Sequence, residues 1–166
     1  MAFILAVPVL GVALMLQMAI ASRIPLLSGT VDLLLVILAA WSLQERVKTA
    51  WLWAVLGGLM VAVVSGLPWY IPIISYLLVV GAGRLLTRRV WQAPLLAMFI
   101  VTFMGSLVLL IISLVVLGIR GDPLPVGESF SLVILPSILL NLIVAIPSYW
   151  LMRDLAGRLY PGEVEV

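Results

Sequence analysis

Six apolar stretches occupy most of this sequence, and its charged residues fall between them or close to their ends. The stretches run Ala2–Ala21, Val31–Leu43, Ala50–Leu67, Ile71–Leu86, Pro94–Leu117 and Phe130–Met152. A transmembrane helix needs about 20 residues, within a range of about 17–25. The second, third and fourth stretches are short on that scale, and short spans tilt little, thin the bilayer or hide within a bundle. The chain is 65% hydrophobic and only 10% charged, whereas about a quarter of an ordinary soluble domain is charged. No stretch is left over to build a water-soluble core. The expected fold is all-α, a polytopic bundle of six transmembrane helices forming a single transmembrane domain over residues 1–166, with a lipid bilayer as its surroundings.

The basic residues set the expected orientation. With six spans, Arg46, Lys48, Arg84, Arg88, Arg89, Arg153 and Arg158 lie on one side, and only Arg23 and Arg120 on the other. The positive-inside rule then places both termini in the cytoplasm. A five-span alternative, in which Val31–Leu43 fails to cross, moves only the N-terminus to the other side. Six is preferred because Asp32 through Leu43 is almost purely apolar. Ala19-Ile20-Ala21 before Ser22 imitates a signal cleavage site, but no basic residue precedes the apolar run, so a retained helix is expected. Because the basic residues sit at helix ends, the net charge of +2 does not suggest nucleic acid. Neither cysteine nor histidine occurs, which removes disulfides, thiol chemistry and the commonest metal ligands.

Two stripes stand out. In the third stretch Ala50, Ala54, Gly58, Ala62 and Gly66 recur every four residues, a spacing that lines one helix face with small side chains. Such a face lets another backbone approach closely, whether from within the bundle or from a partner. In the sixth, Ser137, Asn141, Ala145 and Ser148 share a face, flanked by Pro136 and Pro147. Each proline removes an intrahelical hydrogen bond and invites a kink. The carbonyls it frees need a donor, and Asn141 offers both donor and acceptor. Polar groups are costly in hydrocarbon and ordinarily face protein, so this stretch reads as an internal clamp or a partner surface. Gln17 and the set Thr102, Ser106 and Ser113 are weaker features, best read as packing or backbone hydrogen bonding.

Asp32 is the one carboxylate close to a span that can face the bundle. After Ser28-Gly29-Thr30 it suits the first turn of the second helix, where the helix dipole stabilises it. It is either a helix-start residue at the outer interface or the anchor of a loop, Ile24–Thr30, that dips to membrane depth. No charged residue lies mid-span, as proton-coupled transport or voltage sensing would require. No nucleophile has a visible base, and no phosphate loop, metal cluster or selectivity-filter motif occurs. An enzyme is not expected, and no cofactor is expected.

The order and spacing of three pieces carry a family resemblance. They are Asp32-Leu33-Leu34-Leu35-Val36 after a glycine-containing turn; Ser65-Gly66-Leu67-Pro68 followed by Tyr76-Leu77-Leu78-Val79-Val80-Gly81; and Ile134-Leu135-Pro136-Ser137, Asn141 and Ala145-Ile146-Pro147. Over nearly its full length the chain resembles MreD, the rod shape-determining integral membrane protein. It departs where the family often has proline before the aspartate, here Val31, and an acidic residue four positions before the Ser-Gly pair, here Val61 or Ala62. The resemblance implies a non-catalytic adaptor of the cell-elongation machinery for peptidoglycan. It implies a single-pass MreC partner, with a RodA-type glycosyltransferase, a class B penicillin-binding protein and MreB filaments as neighbours, and leaves a homo-oligomer open. It also implies a fold similar to the membrane substrate-binding subunits of energy-coupling-factor transporters. Asp32, Ala54, Gly58, Ala62, Gly66, Pro136, Ser137, Asn141, Pro147 and Ser148 are the candidate interaction residues. The alternative is a vitamin-binding transport subunit, for which Ala2-Phe3-Ile4-Leu5-Ala6 offers a small-xxx-small docking spacing. A third is a lipid-carrier handling protein with an isoprenoid in the third helix's groove.

Overall fold

A computed structural model of the chain describes residues 2–21, 29–66, 68–89, 93–120, 127 and 130–160. The described residues form six α-helices: α1 (Ala2–Ala21), α2 (Leu33–Ser42), α3 (Ala50–Val64), α4 (Tyr70–Arg89), α5 (Pro94–Ile119) and α6 (Leu135–Leu159). A π-helical turn over Phe130–Ile134 leads into α6. Each apolar stretch carries one helix. The fourth and sixth run longer than expected, because their helices continue past the apolar residues to Arg89 and Leu159. Pro94 sits in the first turn of α5, where a missing N–H removes no helical bond. Pro136 follows the π-helical turn directly, at the point where the helical hydrogen-bond pattern changes. Pro147 is internal to α6, as its spacing anticipates.

Three segments are long and apolar enough to cross a membrane: Tyr70–Thr87, Pro94–Ile119 and Phe130–Leu159. The shortest helix, α2, is the centre of the bundle. It packs against all five others, and every residue from Leu33 to Ser42 is buried. A helix that is apolar all round belongs inside, and this one has no lipid-facing side. Its ten residues rise about 15 Å, half of a hydrocarbon core of about 30 Å. Four residues of non-helical chain, 29–32, precede it and add up to roughly 13 Å if extended. Non-helical backbone inside a membrane bundle survives only where protein satisfies its hydrogen bonds.

The core around α2 is closed by large side chains. Trp41 stacks on Trp53 of α3 with ring centroids 4.4 Å apart and planes 22° from parallel. Gly58 sets the α3–α4 approach, since a Cβ there would lie 2.7 Å from the Ile73 Cα. The outward faces of α1, α3 and α6 carry exposed Ile4, Val7, Met15, Trp51, Leu52, Leu59, Val63, Leu139, Ile143 and Trp150.

Candidate functional site

The problem posed by the non-helical lead-in to α2 is solved by the polar stripe of α6. The Thr30 N–H donates to Ser137 Oγ at 3.0 Å, and the Asp32 N–H donates to Asn141 Oδ1 at 2.8 Å. Two extended residues advance about 6.6 Å and four helical residues about 6.0 Å, so a period of two on one chain meets a period of four on the other. Gly29 allows the chains to touch: a Cβ there would lie 2.6 Å from the Pro136 Cβ and 2.9 Å from the Ser137 nitrogen.

The start of α2 is then capped from several directions. A buried helix start leaves N–H groups without intrahelical partners. The Leu35 N–H donates to Asp32 Oδ1 at 2.9 Å, making Asp32 the N-cap. The Leu34 N–H points at Gln17 Oε1 of α1 at 3.4 Å. On the other side of the carboxylate, the Tyr76 hydroxyl of α4 donates at 2.9 Å to Oδ1 and 3.0 Å to Oδ2. Asn141 Nδ2 donates onward to Ser106 Oγ of α5 at 2.8 Å. Because the Asp32 N–H can only donate, the orientation of the Asn141 amide is fixed by its neighbours. Five helices thus each supply a polar side chain or cap to one junction around residues 30–35.

The placement of the sequence candidates follows from this. Asp32 belongs to the junction and not to a plain outer surface; of the loop Ile24–Thr30, residues 24–28 lie outside the described residues. Asn141 does not answer carbonyls freed by the prolines: its side chain bonds to a backbone N–H and a serine hydroxyl. It is 2% exposed, and Ser137, Ala145 and Ser148 are buried on the same face, so the stripe faces its own bundle. Ser148 and Pro147 lie farther along α6, beyond the junction. Ala54 and Gly58 are buried against the bundle, Ala62 is half-buried, and Gly66 is exposed with nothing within 4 Å of where a Cβ would stand. The small-residue face is therefore consumed internally over Ala50–Gly58 and ends before Gly66.

Tyr76 is hidden in the sequence as part of an apolar motif. A tyrosine amid Ile, Leu and Val, in a chain with one inward carboxylate, is the available signal, because a buried phenol ordinarily finds a partner. Among the described residues the hydroxyls of Ser65, Ser75 and Thr102 and the Trp41 indole N–H are buried without a hydrogen-bond partner. No group of three or more metal-ligating residues occurs among the described residues. Chemically the junction orders backbone: the donors and acceptors that compose it are turned toward other protein groups.

No protein-family model, no curated protein and no solved structure matches the chain.

Proposed function

We propose that this chain is an MreD-like membrane adaptor of the bacterial cell-elongation machinery, crossing the inner membrane six times with both termini in the cytoplasm. The supporting observation is the junction itself. The three stretches that carry the resemblance meet there: Tyr76 and Asn141 lie 44 and 109 residues from Asp32, and direct hydrogen bonds join both to it. The feature that singles them out as sequence is thus a shared piece of architecture. Its chemistry suits a scaffold: polar groups are spent on fixing one geometry, and the outward faces are apolar and free to pack on lipid or on a partner's helix. On this reading the exposed ridge Leu139, Ile143 and Trp150 of α6 is a better partner surface than Asn141 or Gly58, which are occupied within the bundle. An MreC-like single-pass protein is the proposed partner, with RodA-type and class B penicillin-binding synthases nearby, and the fold is proposed to be similar to that of energy-coupling-factor substrate-binding subunits.

The test is co-expression with the MreC-type protein of the same genome, with a photocrosslinking residue at Ile143 or, as comparison, at Val63 of α3. Co-purification with crosslinking at Ile143 supports the reading. Absence of a complex, together with thermal stabilisation by one member of a vitamin panel, would replace it with the transport-subunit reading.

A further inference from the structure

A cavity of about 500 Å³ opens at the basic end of the bundle, far along α2 from the Asp32 junction. Arg46 and Glu45 from the α2–α3 connection, Pro94 and Ala97 from the start of α5, and Tyr149 and Arg153 from α6 line it. The two arginines are exposed and have no carboxylate partner among the described residues. Arg46 gives one N–H to the Tyr160 carbonyl at 3.2 Å, and Arg153 lies 5.1 Å from the centre of the Trp150 ring. The nearby acid Asp154 is taken by Arg158 at 2.8 Å. Among the described residues of the wall Glu45 is the one acidic group against two arginines, so their charges sum to a net positive value.

Two further features narrow the occupant. Helix α5 begins at this wall with Pro94 in its first turn, and Ala93 provides no side-chain cap, so the positive end of the dipole of a 26-residue helix lies beside the cavity. The remaining wall includes apolar Leu43, Ala97 and Ala156, and beside Arg153 the half-exposed Trp150 looks outward, as aromatics at a membrane interface do. A soluble anion makes no use of an apolar wall or of an outward-facing indole. A phosphodiester attached to acyl chains uses both, and the volume is within the roughly 300–1,000 Å³ of small-ligand sites. We infer that this cavity seats the phosphate of an anionic phospholipid of the phosphatidylglycerol type between Arg46 and Arg153, with its acyl chains descending past Trp150. Basic recesses between transmembrane helices bind such headgroups.

The test uses the full chain, delipidated in detergent and exposed to equal amounts of phosphatidylglycerol and phosphatidylcholine, with bound lipid counted by native mass spectrometry. Wild type retains phosphatidylglycerol in preference. Arg46→Gln and Arg153→Gln each lower that retention about fivefold, since a basic residue near the membrane surface contributes about 1 kcal/mol. Lys48→Gln, exposed at the same end but not on the wall, leaves retention unchanged. The inference is overturned if the double arginine variant keeps wild-type retention, or if phosphatidylcholine is held equally well. A thermal-shift arm on wild type needs no variant to fold: phosphatidylglycerol stabilises the protein and inorganic phosphate does not. Stabilisation by phosphate alone overturns the lipid assignment.

Discussion

Asn141→Leu is the most discriminating perturbation of the junction. Leucine keeps the branched shape of asparagine and suits a buried helix face, so the change removes hydrogen bonds with only a modest change in packing. Two groups lose their partner: the Asp32 N–H, which donates to Asn141 Oδ1 at 2.8 Å, and Ser106 Oγ, which accepts from Nδ2 at 2.8 Å. The serine recovers by turning to the carbonyl four residues earlier on its own helix. The Asp32 N–H has no such recourse, because residue 32 precedes its helix and has no carbonyl in register one turn back. A buried donor left unsatisfied costs about 1–3 kcal/mol, whereas an interhelical hydrogen bond in a membrane protein averages only about 0.6 kcal/mol. The larger range applies if the orphaned group is backbone held at membrane depth. For a chain of this size 1 kcal/mol corresponds to roughly 2–4 °C in Tm, so Asn141→Leu is expected to lower the melting temperature in detergent by about 2–12 °C. Ser106→Ala, which leaves the Asp32 bond in place, is expected to have a smaller effect. The assay is thermal unfolding followed by circular dichroism or intrinsic fluorescence on both single variants and the double. A melting temperature for Asn141→Leu within error of wild type would refute the claim that α6 supplies the missing hydrogen bonds of the α2 lead-in.

Three further outcomes are expected. Asp32→Ala removes the cap of α2 and strands the Tyr76 hydroxyl, so it destabilises more than Asp32→Asn, which keeps an acceptor for both; equal melting temperatures for the two would contradict the cap. Gly58→Ala drives a methyl into the Ile73 backbone and is expected to destabilise by more than about 1–3 kcal/mol of ordinary overpacking, whereas Gly66→Ala, with open space around it, is near neutral; the pair is compared by detergent thermal stability. In a chain without native cysteine, single cysteines placed at Arg46 and at Arg158 are labelled by a membrane-impermeant maleimide from the same side, because the α2–α3 connection touches the end of α6 through Arg46 and Tyr160; labelling from opposite sides would break the bundle as described.

The sequence by itself determined the class and the parts. Apolar length and the scarcity of charge dictate helices in lipid, since only helices and closed barrels satisfy their backbone there, and each apolar stretch carries one helix. It also marked Asp32 and the Ser137-Asn141 stripe as expensive groups in need of partners. What it left open was which partners. Both stripes are periodic enough to read as surfaces for another protein, and periodicity does not say which side of a helix its neighbours occupy. Only the tertiary structure decided that the shortest helix lies at the centre, that the α3 small-residue face is filled by α4, and that the α6 stripe satisfies the non-helical chain ahead of α2. The physical reason is that these bonds join residues 107 and 109 positions apart. Their match depends on a helical and an extended rise coinciding in space, a relation that no local pattern records.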